Sequence, residues 1–136
     1  MGILKIEATV DNLNKVIAFI DEQLESHDAS MKVQTQIDVA VEEIFVNIAS
    51  YAYDDQVGLA EISIDYDGND NSVIITFIDQ GKYYNPLEKE DPDITLSAAE
   101  RQIGGLGIFI VKKSMDKVDY EYRDNSNVLT LVKRLS

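Results

Sequence analysis

Apolar positions along the chain change period several times, and each change marks an element. Residues 3–10 alternate loosely between apolar and polar and read as a first strand. A 3.6-residue stripe follows, with Leu13, Val16, Ile17, Ile20 and Leu24 on one face, which predicts a helix over about 12–27 with Asp11 as its N-cap. A second, longer helix is expected over about 33–53. Its core face carries Ile37, Val41, Ile44, Phe45, Ile48 and Ala52, while Val39 and Val46 point nearly the opposite way, as if the helix were covered on two sides. "LAEISIDY" at 59–66 and "SVIITFI" at 72–78 read as strands joined by the hairpin loop "DGNDN". From Asp79 to about Gly104 the sequence is polar, holds both prolines and loses its period, and loops of that length are usually functional or disordered. A helix over about 106–115 and a closing hairpin of 118–123 and 127–135 complete the order. Helices first, then hairpins flanking one helix, predict an α/β two-layer sandwich. A mostly antiparallel mixed sheet is covered on one face by helices, in one domain spanning 1–136.

Composition narrows the function. At 136 residues, 45% hydrophobic and 27% charged, the chain has the make-up of an ordinary globular domain. It has no cysteine, which removes disulfides and thiolate metal sites. Its 12 lysines and arginines face 25 aspartates and glutamates, a net charge of −13. That field repels nucleic acid and anionic membranes, so neither is expected as a partner. A phosphate ligand would need its charge met locally, by backbone amides, the few basic side chains or a divalent metal. The opening "MGILKIEATV" lacks the basic and apolar regions of a signal peptide, and no run approaches the roughly 18 apolar residues of a membrane span, so a cytoplasmic location is expected.

Three local patterns carry chemistry. On the long helix a narrow polar band of Gln36, Glu43, Asn47, Ser50 and Asp54 runs between the apolar faces, with Glu42 on another face. Glu43 and Asn47 are four apart and stack along the helix, an arrangement suited to a hard cation or a held water, although many such bands are simply solvated edges. Strand 72–78 runs into Asp79-Gln80-Gly81, where the aspartate can accept a hydrogen bond in a pocket or merely close an Asx turn. Gly104-Gly105-Leu106-Gly107 opens the next helix, against the poor helix propensity of glycine. The run can make a turn, let a helix pack closely, or bring amides to a phosphate. It is neither a Walker A loop, since no Gly-Lys-Ser/Thr follows, nor a dinucleotide fingerprint, since no strand immediately precedes it.

Taken in order, a helix with Glu-x-x-x-Asn, a strand ending in Asp-x-Gly, a long polar segment and a Gly-x-Gly helix start resemble the ATP-binding fold of gyrase, heat-shock chaperones, histidine kinases and MutL, the Bergerat fold. More narrowly, residues from about 5 to 134 resemble the small anti-sigma factor serine kinases of bacteria. That resemblance implies ATP and Mg²⁺ as cofactors, with Glu43 as general base and Asn47 as the magnesium ligand. Asp79 would accept from the adenine amino group and Gly81 would let the base approach. The segment up to Gly104 would be a lid, and Gly104, Gly105, Leu106 and Gly107 would present amides to the phosphates. Three positions depart from the pattern: Tyr51 stands where relatives have histidine, Tyr83 replaces a second glycine and narrows or reshapes the adenine pocket, and Asn127-Val128 replace a Gly-Thr pair. Thr130 is the expected same-face substitute for the lost hydroxyl. The implied activity is serine/threonine phosphorylation of an anti-sigma factor antagonist together with sequestration of a sigma factor. A nucleotide-gated binding module with little chemistry is the alternative, and a homodimer is left open.

Lys82, Lys89 and Arg101 are candidates for phosphate contact or for plain solvated surface, and the lone His27 is expected at a helix C-terminus.

Overall fold

The computed structural model describes residues 2–54, 56–88 and 105–135. The segment expected as a lid, with Lys89, Arg101 and Gly104, lies largely outside the described residues, which resume at Gly105. Strand β1 spans Gly2–Glu7, helix α1 Leu13–Glu25 and helix α2 Met31–Tyr51. Strands β2 (Leu59–Asp67) and β3 (Ser72–Asp79) follow, then α3 (Gly105–Ser114), β4 (Lys117–Arg123) and β5 (Ser126–Arg134).

The five strands form one sheet in the order β1-β2-β3-β5-β4, and every pairing is antiparallel. Strands β2 and β3, and β4 and β5, are joined as hairpins, whereas α1 and α2 separate β1 from β2 and α3 separates β3 from β4, so β5 pairs with β3 and β4 lies at the edge. Asp124 and Asn125, both with positive φ (52° and 60°), make the tight turn between β4 and β5, a conformation that short Asx side chains tolerate.

Period two decides which face is covered. Ile62, Ile64, Val73, Ile75, Phe77, Leu129 and Leu131 are all buried and share the sheet face that receives the helices. From α1 come Val16, Ile20 and Leu24; from α2 come Ile37, Ala40, Val41, Ile44, Phe45 and Ile48; from α3 come Ile108 and Val111. Burying a side chain of this size stabilises by about 1.5–3 kcal/mol, so this single seam holds the layers together.

Two local expectations are corrected. A 3-10 turn over Val10–Asn12 precedes α1, so Asp11 does not cap it; Asn12 holds that place, and its Nδ2 instead donates to the Glu7 carbonyl at 2.9 Å. Helix α2 starts two residues early because Ser30 Oγ accepts from Val33 N at 3.2 Å, the N-cap bond that period alone does not reveal. Val39 is 38% exposed, so the helix is not covered on a second side there. No helix among the described residues is long and apolar enough to cross a membrane.

Candidate functional site: a cleft between α2 and the ends of β3 and β5

The face of α2 toward the sheet brings Ile44, Asn47, Ile48 and Ala52 over the C-terminal end of β3. They line a cleft with Phe77, Asp79, Tyr84, Pro86, Tyr120, Asn127 and Leu129. Its cavity is about 30 Å³, room for roughly one water. The walls are mostly hydrocarbon, with three polar side chains, Asn47, Asp79 and Asn127, converging from three elements.

Asp79 is the last residue of β3 and is only 5% exposed. Its Oδ1 accepts from Gly81 N at 3.0 Å, closing the Asx turn, and from Asn127 Nδ2 at 2.9 Å. Burial raises its pKa above the usual carboxylate range, against the lowering effect of those two bonds. Such a carboxylate is costly unless its remaining acceptor capacity meets a donor.

Gly81 serves packing. A Cβ there would lie 2.5 Å from Ala52 Cβ and 2.6 Å from the Ala52 carbonyl carbon, at the C-terminus of α2. Lys82 N donates to the Ala52 carbonyl at 2.9 Å, which seats the turn under the helix end. Lys82 itself pairs with Asp54 at 2.7 Å, both largely exposed.

One turn before Asn47, Glu43 is half-buried and faces the first turn of α3. A Cβ on Gly107 would fall 2.7 Å from Glu43 Cδ, so the glycine leaves the space that the carboxylate occupies. Burial, and next the negative charge of Glu42, hold the Glu43 pKa above 4.5. Of the opening glycines, Gly105 and Gly107 start α3 with Leu106 between them. Gly107 thus shows the close-packing use of the run.

Thr130 does not lie at this site. The β3–β5 register pairs Thr130 with Thr76 and Asp79 with Asn127. Thr130 is therefore three positions from the aspartate, an odd number, and lies on the opposite sheet face. The residue that meets Asp79 is Asn127, 5% exposed and directly across the ladder. The sequence marked it only as a departure from the Gly-Thr pair at the start of the last strand. Tyr83 does not narrow the cleft either: it is 51% exposed and packs edge-on against Tyr120 and Tyr122, while its neighbour Tyr84 lines the cleft and leans on Tyr51 at 5.5 Å. His27 lies just beyond the end of α1 and stacks on Tyr66 with ring centroids 4.1 Å apart.

An antiparallel sheet backed by helices, with an acidic strand end under a polar helix stripe, defines an α/β sandwich of the ATPase type. The chain belongs to the histidine kinase-like ATPase domain family, whose model matches residues 6–133. It is similar to the anti-sigma F factor of Thermoanaerobacter sp. (strain X514), 26% identical over 106 residues, covering 78% of this chain and 71% of that protein. The anti-sigma F factor of Caldanaerobacter subterraneus subsp. tengcongensis is 28% identical with the same coverage. Among solved structures, the RsbU and RsbW domains of Rv1364c from Mycobacterium tuberculosis match with a TM-score of 0.65 and 18% identity. The match covers 99% of this chain and 33% of that one, so this chain spans a third of its length. The Acinetobacter baumannii histidine kinase AdeS matches at a TM-score of 0.55 and 10% identity, covering all of this chain and 70% of that one. At these identities the two structures establish the fold.

Proposed function

We propose that this chain is an ATP-binding anti-sigma regulator that phosphorylates a serine of a small antagonist protein and also sequesters a sigma factor. The observation that carries the reading is the buried Asp79 carboxylate in a cleft shared with Asn47, one helical turn from a Glu43 that packs against the glycine-started helix α3. The curated relatives named as anti-sigma F factors support the regulatory half.

In this reading Asp79 accepts from the 6-amino group of adenine, and the apolar walls take the faces of the ring. Amides of Gly105, Leu106 and Gly107 at the start of α3 meet the phosphate chain, where helix ends favour anions. No group of three or more histidine, aspartate or glutamate side chains gathers as a metal cage among the described residues. Mg²⁺ bound chiefly by substrate phosphates needs only one or two protein oxygens, and Asn47, with Glu43 one turn away, fits that donor set. When bound, the ion offsets phosphate charge. The serine hydroxyl oxygen attacks the γ-phosphorus, the bond to the bridging oxygen breaks, ADP leaves, and Glu43 takes the hydroxyl proton.

A base is larger than the 30 Å³ cavity, so in this reading the cleft widens to admit one. The alternative reading is a nucleotide-gated partner switch with little transfer. Incubation with labelled ATP, Mg²⁺ and a candidate antagonist separates them. Serine phosphorylation supports the kinase; a melting shift with ATP but no transfer supports the switch; no shift at millimolar nucleotide refutes both.

A further inference from the structure

The amide of Asn127 has its whole hydrogen-bonding capacity in use. Nδ2 donates to Asp79 Oδ1 and to the Lys82 carbonyl, each at 2.9 Å. Oδ1 accepts from Tyr84 N at 3.1 Å and from the Tyr120 hydroxyl. A carboxamide offers two donors and two lone pairs, so none is left for a ligand. Its orientation is fixed by chemistry, because a flipped amide would set an oxygen against the Asp79 carboxylate and the Lys82 carbonyl, and an NH₂ against the Tyr84 N–H. The backbone is fixed as well, since Asn127 lies opposite Asp79 in the ladder.

We infer that Asn127 is the positioning residue of the base site: with Gly81 N it pins Oδ1 of Asp79, leaves Oδ2 to face the ligand, and so sets a preference for a 6-aminopurine over a 6-oxopurine. The inference rests on the nucleotide-binding reading above. A carboxylate held by one oxygen cannot turn, and its other oxygen stays an acceptor, which attracts an amino group and repels a carbonyl. Without Asn127 the carboxyl would turn on a single remaining bond. Burial would also favour its protonated form more strongly, since the Asn127 bond is the larger of the two that oppose burial. A protonated carboxyl donates, and a donor accepts guanine as readily as adenine.

The test is the ratio of the GTP to the ATP dissociation constant, each nucleotide with Mg²⁺, in the full chain, measured by calorimetry on wild type and Asn127→Ala. The ratio in the variant should fall by about tenfold or more, since sites that reject a ligand by an unpaired polar group lose that power when the group is freed. Parallel weakening of both nucleotides with an unchanged ratio would overturn the inference and leave Asn127 a structural strut. If Asn127→Ala does not fold, Asn127→Leu, similar in size and without a donor, carries the test; it should collapse the ratio likewise, an unchanged ratio again overturning the inference. A wild type that binds neither nucleotide refutes the nucleotide reading and this inference together, whereas an ATP-selective wild type with an equally selective variant refutes the inference alone.

Discussion

Gly107 and Glu43 meet across the α2–α3 interface so closely that any side chain at 107 would need the space of the carboxylate, with a Cβ 2.7 Å from Glu43 Cδ. The atoms in the way belong to the end of a flexible side chain. At Gly81 the atoms in the way are Ala52 and its backbone, which cannot swing aside. Two glycines of the same motif set therefore answer to different constraints.

Their alanine variants should separate accordingly. Gly107→Ala gains helix propensity of about 1 kcal/mol and displaces Glu43, so stability should stay within about 1 kcal/mol while phosphoryl transfer falls at least tenfold. Gly81→Ala should cost about 2–4 kcal/mol, because it drives the turn off the α2 terminus and strains the Lys82 N–Ala52 O bond. Chemical denaturation and a transfer assay on both proteins check this; equal stability losses would refute the distinction.

Glu43→Gln should keep nucleotide affinity near wild type and lower transfer by about 10²–10⁴-fold, the range for loss of a general base. Transfer in wild type should rise with pH through a value above 4.5, since the base works ionised and burial favours its neutral form. Transfer at the wild-type rate by the glutamine variant would remove Glu43 from the chemistry.

Asp79→Asn should abolish most of the thermal shift produced by ATP with Mg²⁺, because the amide can present a donor to the adenine amino group. In wild type the carboxylate must be ionised to accept, and its pKa is raised by burial. Nucleotide affinity should therefore fall as pH drops, starting at a higher pH than for an ordinary aspartate. Titrations between pH 4 and 8, compared with the asparagine variant, read this directly.

Asp21 of α1 and Asp38 of α2 form a carboxyl pair between the helices, and each has a buried Oδ1 without a hydrogen-bond partner. Burial, then the hydrogen bond and charge of Asp21, raise Asp38 to about 7. A bond between two carboxyl groups exists only while one holds a proton, which reconciles the orphaned oxygens with the shared bond. Between 3.8 and about 7 the folded chain holds a proton the unfolded chain has lost, so stability should fall as pH rises across that window. Asp38→Asn should flatten the dependence. With allowance for partial exposure, it should stabilise the chain at pH 8 by about 1–2 kcal/mol, roughly 4–8 °C in Tm. Melting curves at pH 5 and pH 8 for both proteins test it.

The sequence by itself determined the elements and the covered faces, because periods of 2 and 3.6 are local properties of the backbone. The core stripe of α2, the buried alternation of β3 and the aspartate at its end were all legible that way. So was the stacking of Glu43 and Asn47, four residues apart on one helix. Sheet order and register were not, since pairing β5 with β3 joins residues about 50 positions apart and no local period encodes it. That register put Asn127 beside Asp79 and sent Thr130 to the far face; one strand position changes the face, and only the assembled ladder fixes it. The uses of Gly81 and Gly107 were hidden for the same reason. Each glycine is small for the sake of a neighbour on another segment, Ala52 and Glu43, and that neighbour exists only once the helices have docked.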